Sequence, residues 1–301
     1  MRYRTLGRTG FRVSELAVGC APFGMSDYIR AWDATTDDAQ RQITEVVHRA
    51  VDLGYNYFDT APAYGKGRSE EMLGIALKGV REGVLVATKL GSGRSDVPHV
   101  ETAWSPLAIR ESVEGSLRRM QLDTLDVIQF HGGDYSDGGD HVILEQGGLE
   151  TVHRLREEGK IRYIGFATEG ISGGVERLIA SGAFDIMQVC YNLMNQRASD
   201  FEKGHGIIRQ ADAQGIGVVV MRPLTGGVFM RLMASAFPEI APDALGTLLL
   251  NYVLSDPYID TALVGTRSPA RLASNNAISD DVASRLDLED LHQYFLRRRK
   301  A

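Results

Sequence analysis

The chain has 301 residues, 44% of them hydrophobic and 24% charged, with a formal net charge of −6; that is material for one large α/β domain and the wrong charge balance for a nucleic-acid binder. No apolar stretch approaches the length of a membrane span, and the polar opening Met1-Arg2-Tyr3-Arg4 does not resemble a signal peptide. Two cysteines, Cys20 and Cys190, make no disulfide framework and stand in no metal-ligand spacing, so a cytoplasmic protein without a metal is expected.

Taken in chain order, Met1–Arg12 precedes the first long apolar run and is expected to form a hairpin that caps the bottom of a barrel. Eight short apolar runs then follow: Glu15–Val18, Tyr55–Phe58, Val84–Thr88, Leu125–Phe130, Tyr163–Ala167, Ile186–Val189, Ile216–Met221 and Thr261–Val264. They are rich in Val, Ile and aromatic residues and show little alternation, which predicts parallel strands covered on both faces. The stretches between them read as helices. Ile43, Val46, Val47, Ala50 and Val51 recur at helical spacing before Gly54, and Ser105-Pro106 opens another helix with Ile109, Val113 and Leu117 on one face. Eight strand–helix units without a linker predict a single (β/α)8 TIM barrel over residues 1–301. A doubly wound sheet is the competing architecture, but Gly19-Cys20-Ala21-Pro22-Phe23-Gly24 after the first run lacks its glycine signature. The terminal Arg297-Arg298-Arg299-Lys300 reads as a solvated tail.

In such a barrel, catalytic groups stand at the C-terminal ends of the strands. The second run leads into Asp59-Thr60-Ala61-Pro62-Ala63-Tyr64-Gly65, the third ends at Lys89 and the fourth at His131. Taken one at a time, each is better explained as a cap, a rim charge or a packed side chain. Together, on neighbouring strands, a carboxylate, a phenol, an ammonium and an imidazole point to proton transfer. Lys89 is expected to lower the pKa of Tyr64, Asp59 to hold Lys89 charged, and His131 to orient the substrate oxygen. A Schiff-base lyase using Lys89 is one alternative. It is disfavoured because Asp59 would keep the amine protonated. A regulatory subunit that binds nucleotide and turns over slowly is the other.

These residues resemble the aldo-keto reductase family along nearly the whole chain, from Tyr3-Arg4-Thr5-Leu6-Gly7-Arg8-Thr9-Gly10 through Asp59-Thr60-Ala61-x-x-Tyr64-Gly65 to Gly265-Thr266 with Arg271 and Asn275. The resemblance implies the catalytic tetrad Asp59, Tyr64, Lys89 and His131, and an oxidoreductase that moves hydride between NADP(H) and a carbonyl or alcohol. It further implies that Gln188 holds the nicotinamide amide, with Thr168 standing where a Ser-Asn pair is usual. Met221 and Arg222 occupy the place of a stacking Tyr, followed by Pro223, Leu224 and Gly226. At the adenosine end, Gly265 replaces a common Lys. Arg271 matches the phosphate-side arginine, and Arg267 is expected to add a second contact. NADP(H) is therefore favoured, with NAD(H) as the alternative. Phe23, Tyr28, Trp32, His99 and Trp104 stand in rim loops, where they are candidates to line the substrate pocket. Oligomeric state leaves no signal in the sequence.

Overall fold

The computed structural model describes residues 1–28, 31–91, 103–200 and 205–299, with side chains as far as 294. His99 and the side chains of the terminal basic run therefore lie outside the described residues. Strands β3 (Leu16–Gly19), β4 (Tyr57–Asp59), β5 (Leu85–Leu90), β6 (Leu125–His131), β7 (Ile161–Thr168), β8 (Ile186–Cys190), β9 (Gly217–Met221) and β10 (Thr261–Val264) close into a parallel barrel, β10 pairing with β3. All eight apolar runs of the sequence are strands of this barrel. β1 (Tyr3–Thr5) and β2 (Arg12–Ser14) form the expected antiparallel hairpin.

Side-chain parity organises the barrel, because successive residues of a strand point to opposite faces. Ala17, Tyr57, Leu85, Ala87, Val127, Ile186, Val219 and Leu263 pack together in the interior, and Leu6 and Val13 of the hairpin join them as a plug from below. Their neighbours Val18, Phe58, Val86, Ile128, Met187 and Val220 face the helix layer and form the larger core. Strands covered on both sides explain the unbroken burial of β5. The plug is fixed by backbone contact: Arg8 donates its N–H to Gly215 O, and a Cβ on Gly7 would stand 2.2 Å from Gly217 N.

Several of the helices begin at a side-chain cap. Thr36 accepts the Ala39 N–H ahead of the helix Asp37–Asp52, and Ser105 accepts the Ala108 N–H ahead of Pro106–Met120. Gly54 follows the first of these helices at φ 89°, as its position in the sequence predicts. Among the described residues, four strands are followed by more than one helix: β3 by the short Ala21–Gly24 and then Asp37–Asp52, β6 by Gly139–Glu145 and Gly148–Glu157, β9 by Val228–Ala236 and Pro242–Leu254, and β10 by Pro269–Asp280 and Leu288–Arg299. No described helix is long and apolar enough to cross a membrane.

Candidate active site at the C-terminal face of the barrel

The interior parity continues upward into chemistry. Above Tyr57 stands Asp59; above Leu85 and Ala87 stands Lys89; above Val127 stand Gln129 and then His131; above Ile186 stands Gln188; above Val219 stands Met221. Asp59 and Lys89 are 2% and 0% exposed, and Lys89 Nζ donates to Asp59 Oδ1 at 2.5 Å and to Thr60 O at 3.0 Å. Gln129 Nε2 donates to the other carboxylate oxygen at 3.1 Å. Burial pushes the Asp59 carboxyl up, while Lys89, Gln129 and Gln188 pull it back toward ionisation. For Lys89 the attraction of Asp59 and Tyr64 outweighs burial, so the amine is held charged. A buried carboxylate met by a cation and an amide donor is the arrangement that keeps both charges in place.

Tyr64 lies on the loop after β4. Its ring is 5.2 Å from Lys89 Nζ and meets the His131 ring edge-on at 6.3 Å. The loop is seated by two glycines. A Cβ on Gly65 would stand 2.0 Å from Gly24 O, and one on Gly24 would stand 2.6 Å from Tyr64 O. The loop after β3 thus packs directly onto the backbone that carries the phenol.

Lys89 pulls the Tyr64 pKa down, as expected, but burial raises the phenol and outweighs that pull, so Tyr64 is protonated at neutral pH. His131 is moved the other way, from 6.5 down to about 3, by burial first and by the Lys89 charge second. Its ring is therefore neutral, a hydrogen-bond donor rather than an acid. The displacement has a consequence for stability. As pH falls below 6.5 the unfolded chain takes up a proton that the folded chain refuses, so stability is lost down to about pH 3. At pH 5 the loss from this group should be roughly 2 kcal/mol. Urea midpoints at neutral pH and at pH 5 should therefore draw together in His131→Gln. An unchanged pH dependence in that variant would refute the shift.

The remaining candidates divide. Gln188 is buried, its Nε2 donates to Met221 Sδ at 3.6 Å, and its Oε1 has no partner among the described residues. Arg222 adopts φ 57° and forms a two-pronged ion pair with Glu169 at 2.6 and 3.2 Å across the ends of β9 and β7. Pro223 is buried beside it, and Leu224 and Gly226 continue the same rim. Gly265 faces Pro22, whose Cγ would lie 3.1 Å from an added Cβ. Thr266 Oγ1 accepts the Ser268 N–H, and Arg271 and Asn275 follow on the helix Pro269–Asp280. Arg271 pairs with Asp243 on the surface.

Several expectations are corrected. Thr168 shares the parity of Ile164 and Phe166, which face the helix layer, and its hydroxyl is engaged with Gly133 O and Gly170 O. It is turned away from the barrel interior. Phe23 is fully buried in the outer core, and Trp104 is buried between Phe130 and Tyr135, so neither lines a rim pocket. Arg267 lies over the Trp32 ring at 4.4 Å instead of standing free for a phosphate. Tyr28, 52% exposed, and the part-buried Trp32 remain at the rim. Gln129 is a further polar residue of the site that no motif marks, although it stands two residues before His131 and therefore on the same face. Gly165 of β7 accommodates it, since a Cβ there would press within 3.2 Å of Gln129 Cγ. The two cysteines are free and buried, and among the described residues no group of His, Cys, Asp and Glu is placed to hold a metal.

Comparison with known proteins gives the family and agrees with the barrel fold. The family model described as "Aldo/keto reductase family" matches residues 22–293. The L-galactose dehydrogenase of Arabidopsis thaliana is 28% identical over 96% of this chain and 89% of that protein. A putative aldo-keto reductase from Pseudomonas aeruginosa superposes with a TM-score of 0.69 at 32% identity, covering 92% of this chain and 93% of that one. An aldo-keto reductase from Klebsiella pneumoniae, solved in complex with NADPH, shares the fold at 24% identity with a TM-score of 0.72, covering 97% and 94% of the two chains.

Proposed function

The chain belongs to the aldo/keto reductase family, and from that premise we propose that it is an NADP(H)-dependent oxidoreductase that interconverts a small carbonyl compound and its alcohol. The observation that carries the reading is the buried Asp59–Lys89 pair, with Tyr64 and His131 standing beside it on the interior parity of adjacent strands. Bound nicotinamide nucleotide supplies or accepts the hydride. In the reducing direction Tyr64 gives its proton to the carbonyl oxygen, and neutral His131 donates a hydrogen bond that orients the same oxygen. The Lys89 charge stabilises the phenolate that remains, and Asp59 with Gln129 keeps that charge in place. Lys89 itself is no nucleophile here, because it is buried, ion-paired and protonated; this favours reduction over imine chemistry.

The donor set fits the nucleotide. The orphaned Oε1 of buried Gln188 suits a carboxamide N–H, with Met221 beside it to cover a ring face. Arg222, Pro223, Leu224 and Gly226 continue that wall, while Gly265, Thr266 and Asn275 border the adenosine end. Arg271, in the first turn of its helix, is the cation for a 2′-phosphate. This side chain is already paired with Asp243, which competes with such a phosphate. Asp243→Asn should therefore tighten NADPH binding by about twofold to fivefold and leave NADH unchanged. Fluorescence titration reads both constants, and equal shifts for the two nucleotides would remove Arg271 from the phosphate role.

The direct test is NADPH oxidation with para-nitrobenzaldehyde, and NADP⁺ reduction with L-galactose. The sugar is chosen because the Arabidopsis thaliana relative is an L-galactose dehydrogenase. Turnover of either supports the reading. Failure to bind either nucleotide defeats it.

A further inference from the structure

Arg267 stands on the loop after β10, two residues beyond Gly265 at the adenosine end, yet its described side-chain contacts belong to the loop after β3. Its guanidinium carbon is 4.4 Å from the centroid of the Trp32 ring, and Nη1 donates to Pro22 O at 3.0 Å. Trp32 is also held by its own loop, donating Nε1–H to Phe23 O at 3.2 Å and its backbone N–H to Asp27 Oδ1 at 3.0 Å. Gln42 Nε2 donates to Arg267 O at 2.9 Å and anchors the backbone beneath the stack. The carboxylate of Asp27 adds attraction for the cation. A planar guanidinium lying on an indole while donating to a carbonyl uses the shape of arginine, not its charge alone.

The β3 loop faces the chemistry. It packs on the Tyr64 backbone through Gly24, and it carries the exposed Tyr28 at the rim. Shifting Arg267 toward a phosphate would uncover the indole and leave Pro22 O without this donor. Arg271, four residues further on, is 56% exposed at the side chain and is held by the surface carboxylate of Asp243. It is released at far lower cost.

We infer that Arg267 is a positioning residue for the substrate loop and not a phosphate ligand: by clamping Trp32 and Pro22 it fixes the loop that packs on the Tyr64 backbone and carries Tyr28. This rests on the oxidoreductase reading and adds to it a residue that governs the carbonyl substrate from the nucleotide side of the barrel.

The experiment compares wild type, Arg267→Ala and Arg267→Lys. Kd is measured for NADPH and NADH, kcat and KM for para-nitrobenzaldehyde, and tryptophan emission is recorded for each protein. In both variants KM should rise about tenfold with a smaller change in kcat, and NADPH Kd should stay within about twofold of wild type. Emission should move to the red as Trp32 meets water. Lys should fail to rescue, because an ammonium keeps the charge but neither the plane nor the fork. The inference is overturned if Arg267→Ala weakens NADPH by about tenfold or more while sparing NADH and Lys restores it, as a phosphate ligand would. It is equally overturned if neither KM nor emission moves. A wild-type protein that binds no nucleotide defeats the underlying function instead, and that failure appears before any variant is read.

Discussion

Tyr64→Phe should bind NADPH as wild type does and lose about two to four orders of magnitude in kcat for carbonyl reduction. The substitution removes one oxygen and keeps the ring that meets His131 edge-on. Packing is therefore preserved, and a loss of rate reports the proton. The pH dependence should be one-sided. Burial holds the phenol above its ordinary value, so the protonated donor persists through neutral pH, and the reductive rate should stay level there and fall only in alkali. Alcohol oxidation needs the phenolate as base and should climb with pH over the same range. No step near pH 6.5 should appear in either direction, because His131 is held neutral down to about 3. Stopped-flow or steady-state profiles in the two directions test this together. Matching profiles, or a Phe variant that still turns over, would take the proton-transfer role away from Tyr64.

What the sequence revealed, and what it hid, follows from which interactions are local. Strands buried on both faces are legible because they must be apolar along their length, and all eight runs are barrel strands. The tetrad is legible because strand ends are easy to place to within a residue or two, and three such ends carry unlike functional groups. Parity is harder, since one residue reverses a side chain. Thr168 was placed at the nicotinamide by its position in the chain, but its strand turns it toward the helices. Gln129 follows the same rule, because it stands two residues before His131 and therefore on the interior face. Trp104 and Phe23 look like pocket aromatics from their loops, and nothing local distinguishes a ring facing solvent from one facing the core. Arg267 was read by its nearness to Arg271, whereas its partners Trp32 and Pro22 lie far away in the chain and meet it only because β10 pairs with β3. Relations across the barrel closure are set by topology, which residue patterns along one strand do not encode.

Lys89→Met is expected to be the most damaging single change, in stability and in catalysis alike. The side chain is fully buried and pairs with a carboxylate that is itself 2% exposed. Breaking a buried pair from one side leaves the other charge uncompensated, at a cost of about 3–5 kcal/mol. Asp59 would keep only amide donors such as Gln129 and Gln188, and its pKa, already raised by burial, would rise further. The sign of the pH effect follows. A carboxyl that is easier to protonate folded than unfolded gives stability at low pH, and that stability drains as pH rises from the ordinary carboxyl range to the folded pKa. The variant should thus be nearest to wild type in mild acid and weakest at neutral pH, opposite to the trend that His131 imposes. Asp59→Leu combined with Lys89→Met removes both charges and should recover most of the lost stability, because an apolar replacement leaves nothing to desolvate. It should recover none of the activity, since the phenolate left after proton transfer would have no cation beside it. Urea unfolding and kcat measured on the single and double variants separate the two roles. If the double variant regained turnover, the Asp59–Lys89 pair would be a structural feature of the barrel core and no part of its chemistry.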